Sequence, residues 1–118
     1  MRQTALLLLT LLGLGVMVWA QQPAGFKGTR TLTLSEQAKV GAQVLPAGEY
    51  KVTHTMDGAE HIMVFKQAKQ EYRVKCNLEP LNAKADATQA WYEADASGQR
   101  VLQVIVFRGD TVKHVMAQ

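Results

Sequence analysis

From residue 29 onward, apolar and polar side chains alternate in short runs separated by turn-forming residues. Residues 29–34 set Arg30, Leu32 and Leu34 against Thr29, Thr31 and Thr33. A period of two puts alternate side chains on opposite faces, so this run predicts a strand with one face buried. The same reasoning predicts strands over 40–45, 50–56, 61–66, 71–77, 88–94, 100–108 and 111–117. In 71–77, Tyr72, Val74 and Cys76 face one way, and Arg73 and Lys75 the other. The run 100–108 is the most apolar of these and predicts a central strand. Punctuation comes from Leu45-Pro46-Ala47-Gly48, Asp57-Gly58-Ala59-Glu60, the polar turn 67–70, Asp95-Ala96-Ser97-Gly98 and Arg108-Gly109-Asp110. Proline fixes φ and glycine supplies the conformations that tight turns need. Two stretches stay open: 35–39 is one helical turn or a loop, and 78–87, with Pro80 and several alanines, is a loop or a short helix. Seven or eight short strands at about ten-residue spacing predict an all-β domain. The expected architecture is an antiparallel meander forming a small sandwich or barrel.

Residues 1–20 break this pattern. Arg2 precedes an apolar run over 5–18, and Val18 and Ala20 stand three and one residues before an expected cut. That is the layout of a helical signal peptide. The run is shorter than the roughly 20 apolar residues a membrane span needs. Residues 21–28, with Pro23, Gly25 and Gly28, read as a flexible lead-in, and 29–118 as a single β-domain. The expected product is exported, to the bacterial periplasm, with no transmembrane span after cleavage.

Charge and cysteine content narrow the partners. Thirteen Lys and Arg against ten Asp and Glu give a net charge of +3, and loss of Arg2 with the leader leaves +2. The basic residues are scattered singly, so no phosphate-tracking groove and no nucleic-acid partner is expected. Cys76 is the single cysteine. The domain therefore has no internal disulfide and is expected to hold together by packing. No cysteine follows the apolar run to take a lipid, and neither Asn77 nor Asn82 begins a glycosylation acceptor.

The candidate chemistry lies in three pairs: His54-Thr55-Met56, His61-Ile62-Met63 and His114-Val115-Met116. Residues two apart on a strand share a face. If the turn at 57–60 places Met56 opposite His61, then His54 lies opposite Met63, and all four stand on one face of one hairpin. Imidazole and thioether together suit copper, particularly the cuprous ion. The same register puts Tyr50, Val52 and Phe65 on that face, so core packing by Met56 and Met63 is the competing reading. Copper is thus the alternative cofactor, with His54, Met56, His61 and Met63 as metal ligands; otherwise none is expected.

Two resemblances bear on these residues. The His-x-Met pairs resemble those of periplasmic copper chaperones with cupredoxin-like β folds, which implies copper as a ligand. Leu45-Pro46-Ala47-Gly48-Glu49-Tyr50, followed by a strand, resembles the "LPAG-x-Y" turn of small exported bacterial β-domains of unassigned function. That resemblance implies a fold type and a compartment.

No catalytic set emerges. The chain has no Gly-x-Ser-x-Gly, no His-Glu-x-x-His and no phosphate-cradling glycine loop. Cys76 is the nucleophile candidate, but it shares a face with Tyr72 and Val74, where a cysteine is an inert small hydrophobe. Asp57, Glu60, Asp95 and Asp110 read as solvated turn residues. Trp91 and Tyr92 are adjacent, so one ring points to the core and the other outward. An outward Trp91 either lies over a loop or anchors a sugar, a lipid or a protein. The expected function is that of a non-enzymatic module of the envelope, binding an unknown protein or small-molecule ligand or filling a structural role.

Overall fold

The computed structural model describes residues 25–117, so the signal peptide read at 1–20 and the first half of the lead-in lie outside the described residues. Nine strands follow in order: β1 (Thr29–Leu34), β2 (Ala38–Val40), β3 (Gln43–Leu45), β4 (Gly48–Asp57), β5 (Glu60–Gln67), β6 (Gln70–Pro80), β7 (Gln89–Ala94), β8 (Arg100–Val106) and β9 (Val112–Met116). The fold is all-β, as the alternation predicts. The expected strand over 40–45 is instead the β2–β3 hairpin, which accounts for the ninth strand. Gly41 sits at φ +61° and reverses the chain there. Residues 81–88 hold no helix; backbone bonds from Leu81 to Thr111, Ala85 to Asp110 and Gly109 to Ala85 tie this stretch to the turn after β8.

One sheet contains all the strands, in the order β1-β4-β5-β6-β9-β8-β2-β3, with β7 paired to the other side of β8. Every ladder is antiparallel except β2 on β8, which pairs parallel at Lys39 and Val101. The expected meander therefore holds for β4-β5-β6 and for β7-β8-β9. It is interrupted where the β2–β3 hairpin leaves β1 next to β4 and crosses to the far end of the sheet. β1 and β7 approach across a groove of about 440 Å³ lined by Thr31, Leu32, Thr33, Thr88 and Gln89 among others. Among the described residues no ladder joins these two strands, so the sheet is open there.

The inner face supplies one continuous core. Leu32, Leu34, Val40, Leu45, Tyr50, Val52, Met63, Phe65, Val74, Leu102 and Ile105 belong to it, and Ala90 and Tyr92 of β7 pack against it. Burial of this apolar surface is the main stabilising term for a domain without cross-links. Phe26, inside the segment read as a lead-in, is a buried member of the same core. The Leu45–Tyr50 motif acquires a physical explanation here. Tyr50 is fully buried, and its hydroxyl donates to the Pro46 carbonyl at 2.6 Å, closing the turn from inside. A buried phenol needs such an acceptor. Gly48 begins β4 at φ +134°, and the Gln67 side chain lies where a Cβ would project. Both constraints select glycine.

Candidate functional site

The β4–β5 register matches the expectation: His54 pairs with Met63 and Met56 with His61. Residues directly opposite in an antiparallel pair share a face. Along that face the strand passes from core to rim: Tyr50 and Val52 are buried, His54 is half-buried and Met56 is 48% exposed. The four residues therefore have unequal surroundings. Met63 is fully buried within the hydrophobic core, Met56 sits at the rim, and the two histidines lie between them.

The two imidazoles meet. His54 Nε2 and His61 Nδ1 share a hydrogen bond of 2.9 Å, with ring centroids 5.1 Å apart. One ring donates and the other accepts, so the bond requires at least one acceptor nitrogen without a proton. Burial, and then the proximity of His61, lowers the pKa of His54 and favours this neutral state. The glycine at 25 lies against the His54 ring, where any Cβ would overlap it. That contact confines the ring from the N-terminal side.

The third histidine stands deeper. His114 on β9 is fully buried, with Nδ1 3.4 Å from the Ile105 carbonyl and Nε2 without a hydrogen-bond partner among the described residues. Its ring centroid is 6.2 Å from that of His54. Burial lowers its pKa, and the nearby Ile105 carbonyl and Asp110 oppose this only in part. Phe26 fills the space between, with ring centroids 5.3 Å from His114, 6.0 Å from His54 and 5.1 Å from Phe107. The Arg30 guanidinium lies 5.0 Å above the outer side of Phe26 and reaches Asp110 Oδ1 at 3.3 Å. Asp110 is thus a buried ion-pair partner and not the solvated turn residue expected of it. Asp95 does behave as a turn residue, accepting from the backbone of Ser97 and Gln99.

The transverse neighbours of His61 were not anticipated. On its other side, His61 pairs with Cys76 of β6, and Cys76 pairs with Met116 of β9. Met56, His61, Cys76 and Met116 form one row across four strands. The signal was present in the sequence. A two-residue loop at Ala68 and Lys69 fixes Gln67 opposite Gln70, and counting back places His61 opposite Cys76. Cys76 is 4% exposed, and burial pushes its thiol pKa up to about 11, far from the depressed value of a catalytic nucleophile. It nonetheless lines, with His61, Glu60, Lys75 and Asn77, a surface cleft of about 320 Å³. Among the described residues no group of three or more His, Cys, Asp and Glu side chains is arranged to hold a metal ion.

A second feature lies on the opposite side of β8. Trp91 is 47% exposed and stands beside the loop 81–87, where a groove of about 380 Å³ is lined by Asn82, Lys84, Asp86, Gln89 and Val106. A register shift between Trp91 and Tyr92 accompanies the split of the two rings. Tyr92 packs against the core under the Arg100 guanidinium at 4.1 Å, as the alternation requires of one of the pair. Among the described residues no helix is long and apolar enough to cross a membrane. No family model, curated protein or solved structure matches the chain.

Proposed function

We propose that this chain is an exported, non-enzymatic β-domain of the bacterial envelope that works by binding, with the groove at Trp91 as its binding surface. The observation that carries this reading is the half-exposed indole beside a polar loop. Tryptophan joins a large apolar body to a polar N–H and is enriched at interfaces for that reason. The volume falls within the range of small-ligand sites. Asn82, Asp86 and Gln89 line the same groove as Trp91 and offer hydroxyl-recognising donors and acceptors, a combination that suits a sugar ring stacked on the indole. The fold reading that accompanies it is a small barrel left open between β1 and β7, supported by the single core that all nine strands touch. The leader-like segment 1–20 supports export, and the scattered basic residues support a partner other than nucleic acid.

Tryptophan fluorescence tests the assignment. Titration of the domain left after cleavage with envelope-derived oligosaccharides is expected to shift the emission of Trp91, its single tryptophan, and calorimetry reads binding in variants that lack the indole. Trp91→Ala is expected to weaken binding by about tenfold, or about 1.4 kcal/mol. Saccharide binding that survives Trp91→Ala would count against the groove, and turnover of a substrate would count against the non-enzymatic reading.

A second reading, cuprous-ion binding by the His-x-Met hairpin, is favoured by the contact between His54 and His61. Their nitrogens lie within ligand reach of a common point, and Met56 stands directly across from His61. The full burial of Met63 in the apolar core argues that the site gathers around His61 and leaves Met63 to packing.

A further inference from the structure

We infer that Cys76 completes the copper site: a single cuprous ion held between the His61 imidazole and the Cys76 thiolate, with Met56 alongside and His54 orienting the His61 ring. The inference rests on the copper reading of the hairpin and changes its ligand set. Three observations support it. His61 and Cys76 are directly opposed on adjacent strands. Directly opposed residues have Cβ atoms about 5 Å apart, and two donors on one small ion, each bonded at roughly 2.0–2.3 Å, stand about 4 Å apart. One ion can therefore bridge this pair without backbone movement. Both residues also line the same surface cleft, which gives an ion a route in. Finally, His61 Nδ1 is engaged with His54 Nε2, and with Nδ1 as the donor of that bond the lone pair of His61 Nε2 is left to bind an ion. A hydrogen bond to the non-ligating nitrogen is how metal-binding histidines are usually held in place.

The chemistry suits a soft monovalent ion. A thiolate, an imidazole and a thioether together select copper(I) over harder cations. Binding forms one Cu–N and one Cu–S bond, and the Cys76 thiol proton leaves to solvent. Copper remains in the cuprous state throughout, so the step needs no oxidant or reductant. His54 is a positioning residue here, and Met63 and His114 take no part.

Anaerobic titration of the full chain with copper(I) against a chromophoric competing chelator tests the site. The expected result is one ion per chain, bound more tightly than micromolar, with a thiolate-to-copper charge-transfer band in the ultraviolet. Cys76→Ser is expected to abolish the band and weaken binding. His54→Gln is expected to keep the band and weaken binding by roughly tenfold or more. Met63→Leu is expected to bind like wild type. If wild-type protein takes up one ion without the band, Cys76 is not a ligand and the inference fails, while copper binding by the hairpin stands. This readout needs no variant, so it holds even if Cys76→Ser does not fold. Absence of binding tighter than micromolar would overturn the inference and the copper reading together.

Discussion

His114 illustrates how a single residue carries conditions into the fold. Its ring has no exposed surface, its Nε2 has no hydrogen-bond partner among the described residues, and burial lowers its pKa below the ordinary histidine value. Protonation is therefore disfavoured in the folded chain and free to occur in the unfolded chain, where the value is about 6.5. Between the two pKa values the unfolded state binds more protons, so stability rises with pH through this window. The groups facing the ring are His54 and His61, which oppose its charging, and Asp110, which favours it. Stability is expected to be fully present above about pH 6.5 and to fall as the pH drops below it. Denaturant midpoints measured from pH 7.5 to pH 5 check this. His114→Phe, which keeps an aromatic ring against Phe26 and Phe107, is expected to flatten the profile. An unchanged slope in that variant would show that other groups dominate. None of this was legible from His114-Val115-Met116 alone, because period-two alternation gives a face and not its depth.

At the scale of the element, three hairpins use the same device. The two-residue loops Gly41-Ala42 and Gly58-Ala59 each begin with a glycine at φ +61°, and the loop Ala68-Lys69 begins with an alanine at φ +52°. A positive φ at the first loop position matches the right-handed twist of the flanking strands. Glycine takes it without penalty, whereas a Cβ costs roughly 1–2 kcal/mol in this region. Ala68 is exposed, so nothing in its surroundings needs the methyl group. Ala68→Gly is expected to raise stability by about 0.5–1 kcal/mol, after allowance for the greater freedom of glycine in the unfolded chain. An upward shift of the urea midpoint at unchanged slope is the measurement that checks it. The turn at 57–60 was legible because Asp-Gly stands between two alternating runs. The Gly41 turn was not, because only three residues flank it on each side, too few for periodicity to separate one strand from two. Residues 78–87 stayed ambiguous for a related reason: their backbone partners lie on residues 109–114, and no local pattern announces them.

For the whole molecule, the N-terminal edge of the described chain is also part of the core. Phe26 packs against Phe107, His54 and His114 beneath the Arg30–Asp110 ion pair, so residues 25–30 cover the end of the sheet that carries the histidines. Phe26→Ala is expected to cost about 3 kcal/mol or more, the range for truncating a buried phenylalanine. That is a large fraction of the total stability of a domain this size. The check is equilibrium urea unfolding of the variant. A loss below 1 kcal/mol would mean that this end of the sheet holds without the ring.

Alternation along the chain was enough to establish an all-β domain, most of its strands, the inward faces of β1, β4, β5 and β6, and the pairing of His54 with Met63 and of Met56 with His61. Those features are local: a strand's faces follow from its period, and a hairpin's register follows from its two-residue loop. Tertiary structure alone decided the rest. The β2–β3 hairpin crosses to a parallel rung on β8, Phe26 enters the core, Asp110 is buried with Arg30, and His114 comes within ring-packing distance of His54. Each of these depends on contacts between residues far apart in sequence, whose energies are set by burial and by the curvature of the sheet. Cys76 lies between the two cases. Its place beside His61 follows from counting through a loop, but its depth and its opening to a cleft come only from the packing of the sheet against its core.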